Sequence, residues 1–133
     1  MATDTDKLIP AELAQQIADQ ATIPGISPIR EAHVFNLLAM AGYTNPDIGS
    51  MIGRRASYVG WRLDLLQLTP AGQAALEGDR LPANLAWHIA LLSEPNQFLM
   101  LVRWARGEFS SARHAERYAR AIGDDENSGG VPM

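Results

Sequence analysis

Prolines at positions 10, 28, 46, 70, 82 and 95 each stand at or beside the start of a stretch with helical apolar spacing. Proline lacks a backbone N–H and has a fixed φ, so it suits the first turn of a helix and disrupts its interior. Six such starts leave room only for short helices. No alternating run of β-branched residues offers a strand. This punctuation predicts an all-α fold, a compact bundle of seven or eight short helices that must share a core because none can bury much alone.

Pro10 opens a first helix with Leu13, Ile17 and Ala21 on one face. TIPGIS reads as a loop. Ser27 caps PIREAHVFNLLAMA, which Gly42 ends. Thr44 caps NPDIGSMI, with Asp47 three residues on as a capping-box partner. ASYVGWRLDLLQL follows Gly53, and Thr69–Pro70 opens AGQAALEG. Pro82 opens ANLAWHIALL, Ser93 caps EPNQFLMLVRWAR, and Ser110 or Ser111 caps ARHAERYARAI. Ile48, Ile52, Val59, Leu63 and Leu66 are the expected central core. Phe98, Leu101, Val102 and Ala105 have the spacing of a buried stripe. The expected organisation is an N-terminal helix and loop over 1–25, a helical domain over 26–122, and a disordered acidic tail over 123–133.

The 133 residues suit one compact domain. No apolar run is long enough to span a membrane. MATDTDK carries acids where a secretion signal would carry basic residues, so a cytoplasmic location is expected. There is no cysteine, which excludes disulfides, thiolate metal sites and thiol nucleophiles. The net charge of −4 argues against a polyanion binder, but its distribution reverses that argument. The first twenty residues hold four acids against Lys7, and Asp124, Asp125 and Glu126 stand in the tail without a basic residue. Between them, ten arginines face eight acids.

Asn45 to Leu68 is the informative segment. Gly49 is a small residue where a second helix can cross closely, Gly53 stands four residues on at a turn, and the aliphatic Val59 follows six later. That is the spacing of a DNA-binding helix-turn-helix. With Val59 buried, steps of 100° per residue put Ser57, Trp61 and Asp64 opposite, and Tyr58 and Arg62 on the flank. Arg54 and Arg55 occupy the turn at the helix N-terminus, where the partial positive charge of the helix also lies. Arginine there can read guanine or hold a phosphate. Thr44 and Asn45 begin the first helix and are candidate phosphate contacts. The candidate site is thus Thr44, Asn45, Arg54, Arg55, Ser57, Tyr58, Trp61 and Arg62. Any helical hairpin with a glycine turn has this spacing, and Trp61 equally suits a core or an oligomer contact.

Four stretches in order resemble the central DNA-binding domain of the ParB/KorB partition family. SPIREAHVFNLL is similar through Pro28, Ile29, Glu31 and Ala32. NPDIGSMIGRRASYVGWRLDLLQLTP is similar through Ile48, Gly49, Ile52, Gly53, Val59, Leu63, Leu65, Leu66, Leu68 and Pro70. DRLPANLAWHIALL is similar through Arg80, Leu81, Ala83 and Ala86, and SARHAERYARAI through Ser111, Arg113 and Glu116. The resemblance implies a helix-turn-helix that binds a specific duplex site, braced by the later helices. Arg113, Arg117 and Arg120 share a helix face and suit the DNA backbone, unless Glu116 neutralises them in intrahelical pairs. The family's CTP-binding boxes have no counterpart in residues 1–25, so no cofactor is expected. Only the acidic tail follows Ile122, where the family carries a dimerisation domain.

His33, His88 and His114 lie on different expected helices without metal-ligand spacing, and no phosphate loop or nucleophile motif is present. Neither catalysis nor a metal is expected. The resulting expectation is a ParB-like protein that binds double-stranded DNA in plasmid partition or transcriptional regulation, associated with nucleoid or plasmid. It would act with a homodimer mate or another protein as possible partner, and with no membrane. The alternative is a protein-interaction module on the same scaffold, using Trp61, Trp87 or Trp104.

Overall fold

The computed structural model describes residues 7–129. Among them are eight α-helices and no strand. They divide into two compact units, with the boundary between Leu66 and Gln67.

The first unit holds α1 (Ala11–Asp19), α2 (Pro28–Met40), α3 (Asn45–Ile52) and α4 (Ala56–Asp64). Its core joins Ala14, Ala18 and Ala21 to Phe35, Leu38, Ile48 and Val59. The expected face of α1 is inward only in part: Ala21 is buried and Ile17 packs against the core, but Leu13 is 43% exposed, and Ala14 and Ala18 are fully buried instead. Alanine lets α1 lie close to α2 and α3, which a leucine stripe would hold apart. Residues of α1 and α2 thus share one core. Ile48 and Val59 are buried, with Ile52 and Leu63 packed at the margin, as the central spacing predicts.

The second unit holds α5 (Pro70–Glu77), α6 (Ala83–Ala90), α7 (Glu94–Ala105) and α8 (Ala112–Gly129). Leu76, Leu81, Leu85, Ile89, Met100, Ala115 and Ala119 are buried. The expected stripe on α7 is not the buried one. Phe98 is 68% exposed and Ala105 is exposed, while Gln97 and Met100 point inward. The cause is polar. The Gln97 side-chain amide donates to the carbonyls of Gln67 and Leu92, and its oxygen accepts from Thr69 N–H. These backbone groups at helix junctions need partners, and one glutamine serves three of them.

The expected disorder from residue 123 is also corrected, because α8 continues to Gly129. Glu126 accepts hydrogen bonds from Ser93 N–H and Oγ–H and from the Asn96 amide. Ser93 is thus not the side-chain cap expected for α7; the Glu126 carboxylate takes that place at the positive helix end. Residues 130–133 of the expected tail lie outside the described residues. No described helix is long and apolar enough to cross a membrane.

Candidate nucleic-acid interface

The helix-turn-helix is built from α3, a glycine turn and α4. Thr44 Oγ accepts from Asp47 N–H while the Asp47 carboxylate accepts from Thr44 N–H, the complete capping box. These bonds, with Lys7 3.7 Å away, hold the Asp47 carboxyl below its ordinary value. Gly53 ends α3 at φ +72°, and Arg54 N–H returns to the Gly49 carbonyl at 2.9 Å. A Cβ on Gly49 would stand 2.5 Å from the Arg54 carbonyl oxygen, so the crossing of turn and helix requires glycine there. At Gly60 a Cβ would merely touch the Asn45 side-chain amide at 3.4 Å, so space does not demand glycine there. Asn45 is half-buried, while Thr44 is exposed with its hydroxyl engaged in the cap.

The leading end of α4 is basic. Arg55 is its N-cap residue and supplies no side-chain cap, unlike Ser27, Thr44 and Thr69 at α2, α3 and α5. Arg54 and Arg55 are both exposed, and so are Ser57 and Trp61 on the outward face of α4. Trp61 is 53% exposed, which removes the core reading for it.

Tyr58 and Arg62 stand on the flank of α4, as expected, on the side of α2. Both are half-buried. The Tyr58 hydroxyl donates to Glu31 at 2.6 Å, and Arg62 Nε donates to the other carboxylate oxygen at 2.9 Å. Burial and the Glu31 carboxylate raise the Tyr58 pKa. Arg54 and Arg62 both lie against the Tyr58 ring, at 4.5 and 4.8 Å from its centroid. Glu31, a buried carboxylate on α2, therefore orients α4. Nothing in the sequence marks it, since an acid in the first turn of a helix that also carries Arg30, His33 and Asn36 is ordinary; once buried, it needs cationic or hydroxyl partners. The two arginines, Tyr58 and Glu31 line an open cavity of about 390 Å³ together with Thr22, Ile23 and Ile26.

Arg113 and Arg117 belong to the second unit, exposed on α8. Near the start of that helix, Ser111 Oγ accepts from His114 N–H, as its cap requires. Trp104 is engaged, its indole N–H donating to the Arg80 carbonyl. Among the described residues no three His, Asp or Glu side chains converge on a metal position.

Fold and site together define an all-α helix-turn-helix protein. The family model for the ParB HTH domain matches residues 25–124, and the chain belongs to that family. Two solved structures are similar. The DNA-binding domain of the chromosome-partitioning protein ParB complexed to the centromeric parS site is 25% identical, with a TM-score of 0.76 over 94% of this chain and 86% of that one. The C-terminally truncated ParB from Caulobacter crescentus, also complexed to parS, is 26% identical, with a TM-score of 0.74 over 84% of this chain. This chain spans 58% of that protein's length. No curated protein matches in sequence.

Proposed function

We propose that this protein binds double-stranded DNA at a specific site, with α4 in the major groove. The observation that carries the reading is the leading end of α4: exposed Arg54 and Arg55 beside a helix N-terminus without a side-chain cap, on a ParB-type helix-turn-helix. Helix N-terminal N–H groups and arginines together attract phosphate and place donors at guanine edges. The parS complexes of two similar structures support duplex DNA as the ligand. Arg55, Ser57 and Trp61 face the groove, and exposed Arg54, resting on the Tyr58 ring, swings from it to reach the DNA. Tyr58 and Arg62 support α4 from behind, Asn45 fixes its angle, and Thr44 lies at the backbone side. Arg113 and Arg117 add contacts to phosphates. The biological role is partition or transcriptional regulation on a plasmid or chromosome, with no catalytic step.

The test is fluorescence anisotropy of the purified chain against a parS duplex and a randomised duplex pool. Binding that weakens with salt is expected, with one enriched site. Arg54→Ala with Arg55→Ala should abolish it while helical circular dichroism is retained. Unchanged affinity in that variant overturns the assignment of the site, and no binding at low salt overturns the function.

An interaction module is the second reading, favoured by a groove of about 440 Å³ in the second unit lined by Thr69, Pro70, Pro95, Phe98 and Leu101. A stable dimer by light scattering that ignores DNA would support it.

A further inference from the structure

Within the first unit, the outward face of α4 carries one large apolar group, Trp61. Its neighbours explain why it stands alone. Glu31 draws Tyr58 and Arg62 to the α2 side, and Gly60 has no side chain. Ser57, one turn earlier, is small and exposed. An indole 53% exposed costs hydration until something apolar covers it. What covers it must also accept the basic corner two turns before it, where Arg54 and Arg55 are exposed. A polyanion with apolar groups on its inner surface meets both demands. In the major groove of DNA, the apolar groups are the C5-methyls of thymine.

We propose that Trp61 is a specificity-determining residue that reads thymine methyl groups in the major groove. The proposal rests on the DNA-binding reading above and adds the base it selects. Arg54 and Arg55 supply attraction to phosphate and guanine; the indole face supplies contact with methyls further along the groove. The contact needs no hydrogen bond from Trp61, so the preference rests on the methyl alone.

The experiment alters the DNA first, which leaves the protein intact. A site selected from a random duplex pool is resynthesised with uracil at single thymine positions, removing only the methyl. Affinity is measured for the natural chain, Trp61→Ala and Trp61→Phe. At one or two positions, the natural chain should lose about fourfold per methyl removed, the transfer value of one buried carbon. Trp61→Ala should bind thymine and uracil sites equally, and Trp61→Phe should keep part of the preference. The proposal is overturned if every thymine can be replaced without loss, or if Trp61→Ala loses as much as the natural chain. A Trp61→Ala variant that changes oligomeric state by light scattering yet keeps its thymine preference overturns it as well, and marks Trp61 as a protein contact. Should the pool give no bound site, the DNA-binding reading fails and this inference fails with it; a bound site insensitive to uracil sinks the inference alone.

Discussion

The phenol of Tyr58 on α4 donates to the carboxylate of Glu31 on α2 across 2.6 Å, joining the second helix of the motif to the scaffold by a charge-assisted bond. Arg62 Nε occupies the other oxygen, so the largely buried carboxylate is neutralised. Removing the acid leaves a phenol and a guanidinium without their acceptor. Glu31→Ala should lower stability by about 2 kcal/mol in urea unfolding, the cost of leaving partly buried polar groups unmet. Tyr58→Phe removes one bond and keeps the ring between two arginines, so about 1 kcal/mol is expected. If Glu31→Ala costs less than Tyr58→Phe, the carboxylate is not what holds α4 in place.

The turn offers a sharper contrast. A methyl on Gly49 meets the Arg54 carbonyl oxygen at 2.5 Å, and that atom is backbone. A methyl on Gly53 meets nothing within 4 Å but must adopt φ +72°. Gly53→Ala should therefore cost about 1 kcal/mol, the strain of one left-handed residue. Gly49→Ala should cost more, about 3 kcal/mol, because the helices must separate to admit it. Thermal unfolding of the two variants ranks them, and the reverse order would contradict the packing described for the motif.

The motif itself was readable in the residues because glycines, caps and proline positions act locally. Thr44 and Asp47 form their box from adjacent backbone, and Gly53 ends its helix from its own φ. Faces were harder. On α1 the buried residues are alanines, whose value lies in closeness to a neighbour that spacing does not identify. On α7 the inward residue is Gln97, chosen by carbonyls on other segments. The role of Tyr58 was hidden likewise, since a flank position on a helical wheel does not reveal an acid 27 residues earlier. Outward positions of α4 follow from Val59 alone, which is why Ser57 and Trp61 stand where the periodicity puts them.

Gln97 gives a test of that polar reasoning. It is 3% exposed, and its amide meets carbonyls of Gln67 and Leu92 while its oxygen meets Thr69 N–H. Leucine at this position has similar volume and greater hydrophobicity. Gln97→Leu should nonetheless lower stability by about 2 kcal/mol, because the buried backbone groups lose their partners. A neutral or stabilising result by urea unfolding would mean that water reaches those carbonyls.

Acid should loosen the end of α8. Ser93 and Asn96 hold the Glu126 carboxyl below its ordinary value of 4.5. A carboxyl depressed on folding stabilises the native state above its unfolded value, and that contribution is lost as pH falls through the lower folded value. The natural chain should therefore lose more melting temperature between about pH 5 and about pH 3, a span that brackets the ordinary carboxylate value, than Glu126→Gln does. Asp47 is depressed by its cap in the same direction and serves as the internal comparison, because Glu126→Gln leaves its contribution intact. Equal acid sensitivity in the two proteins would show that Glu126 does not cap α7 in solution.

Arg113 and Arg117 on α8 and Arg54 and Arg55 before α4 are assigned different work on one ligand, and the salt dependence of affinity separates them. A phosphate contact carries no base information, so its loss weakens all duplexes alike. Arg113→Ala with Arg117→Ala should reduce the slope of log affinity against log salt by about 2 and leave the selected site unchanged. Arg54→Ala with Arg55→Ala should also erode the ratio between selected and random duplexes, since arginine at the helix entry reaches base edges. Anisotropy titrations over a range of salt concentrations measure both quantities. An α8 variant that alters site preference, or a turn variant that leaves it intact, would exchange the two roles and place base reading outside the helix-turn-helix.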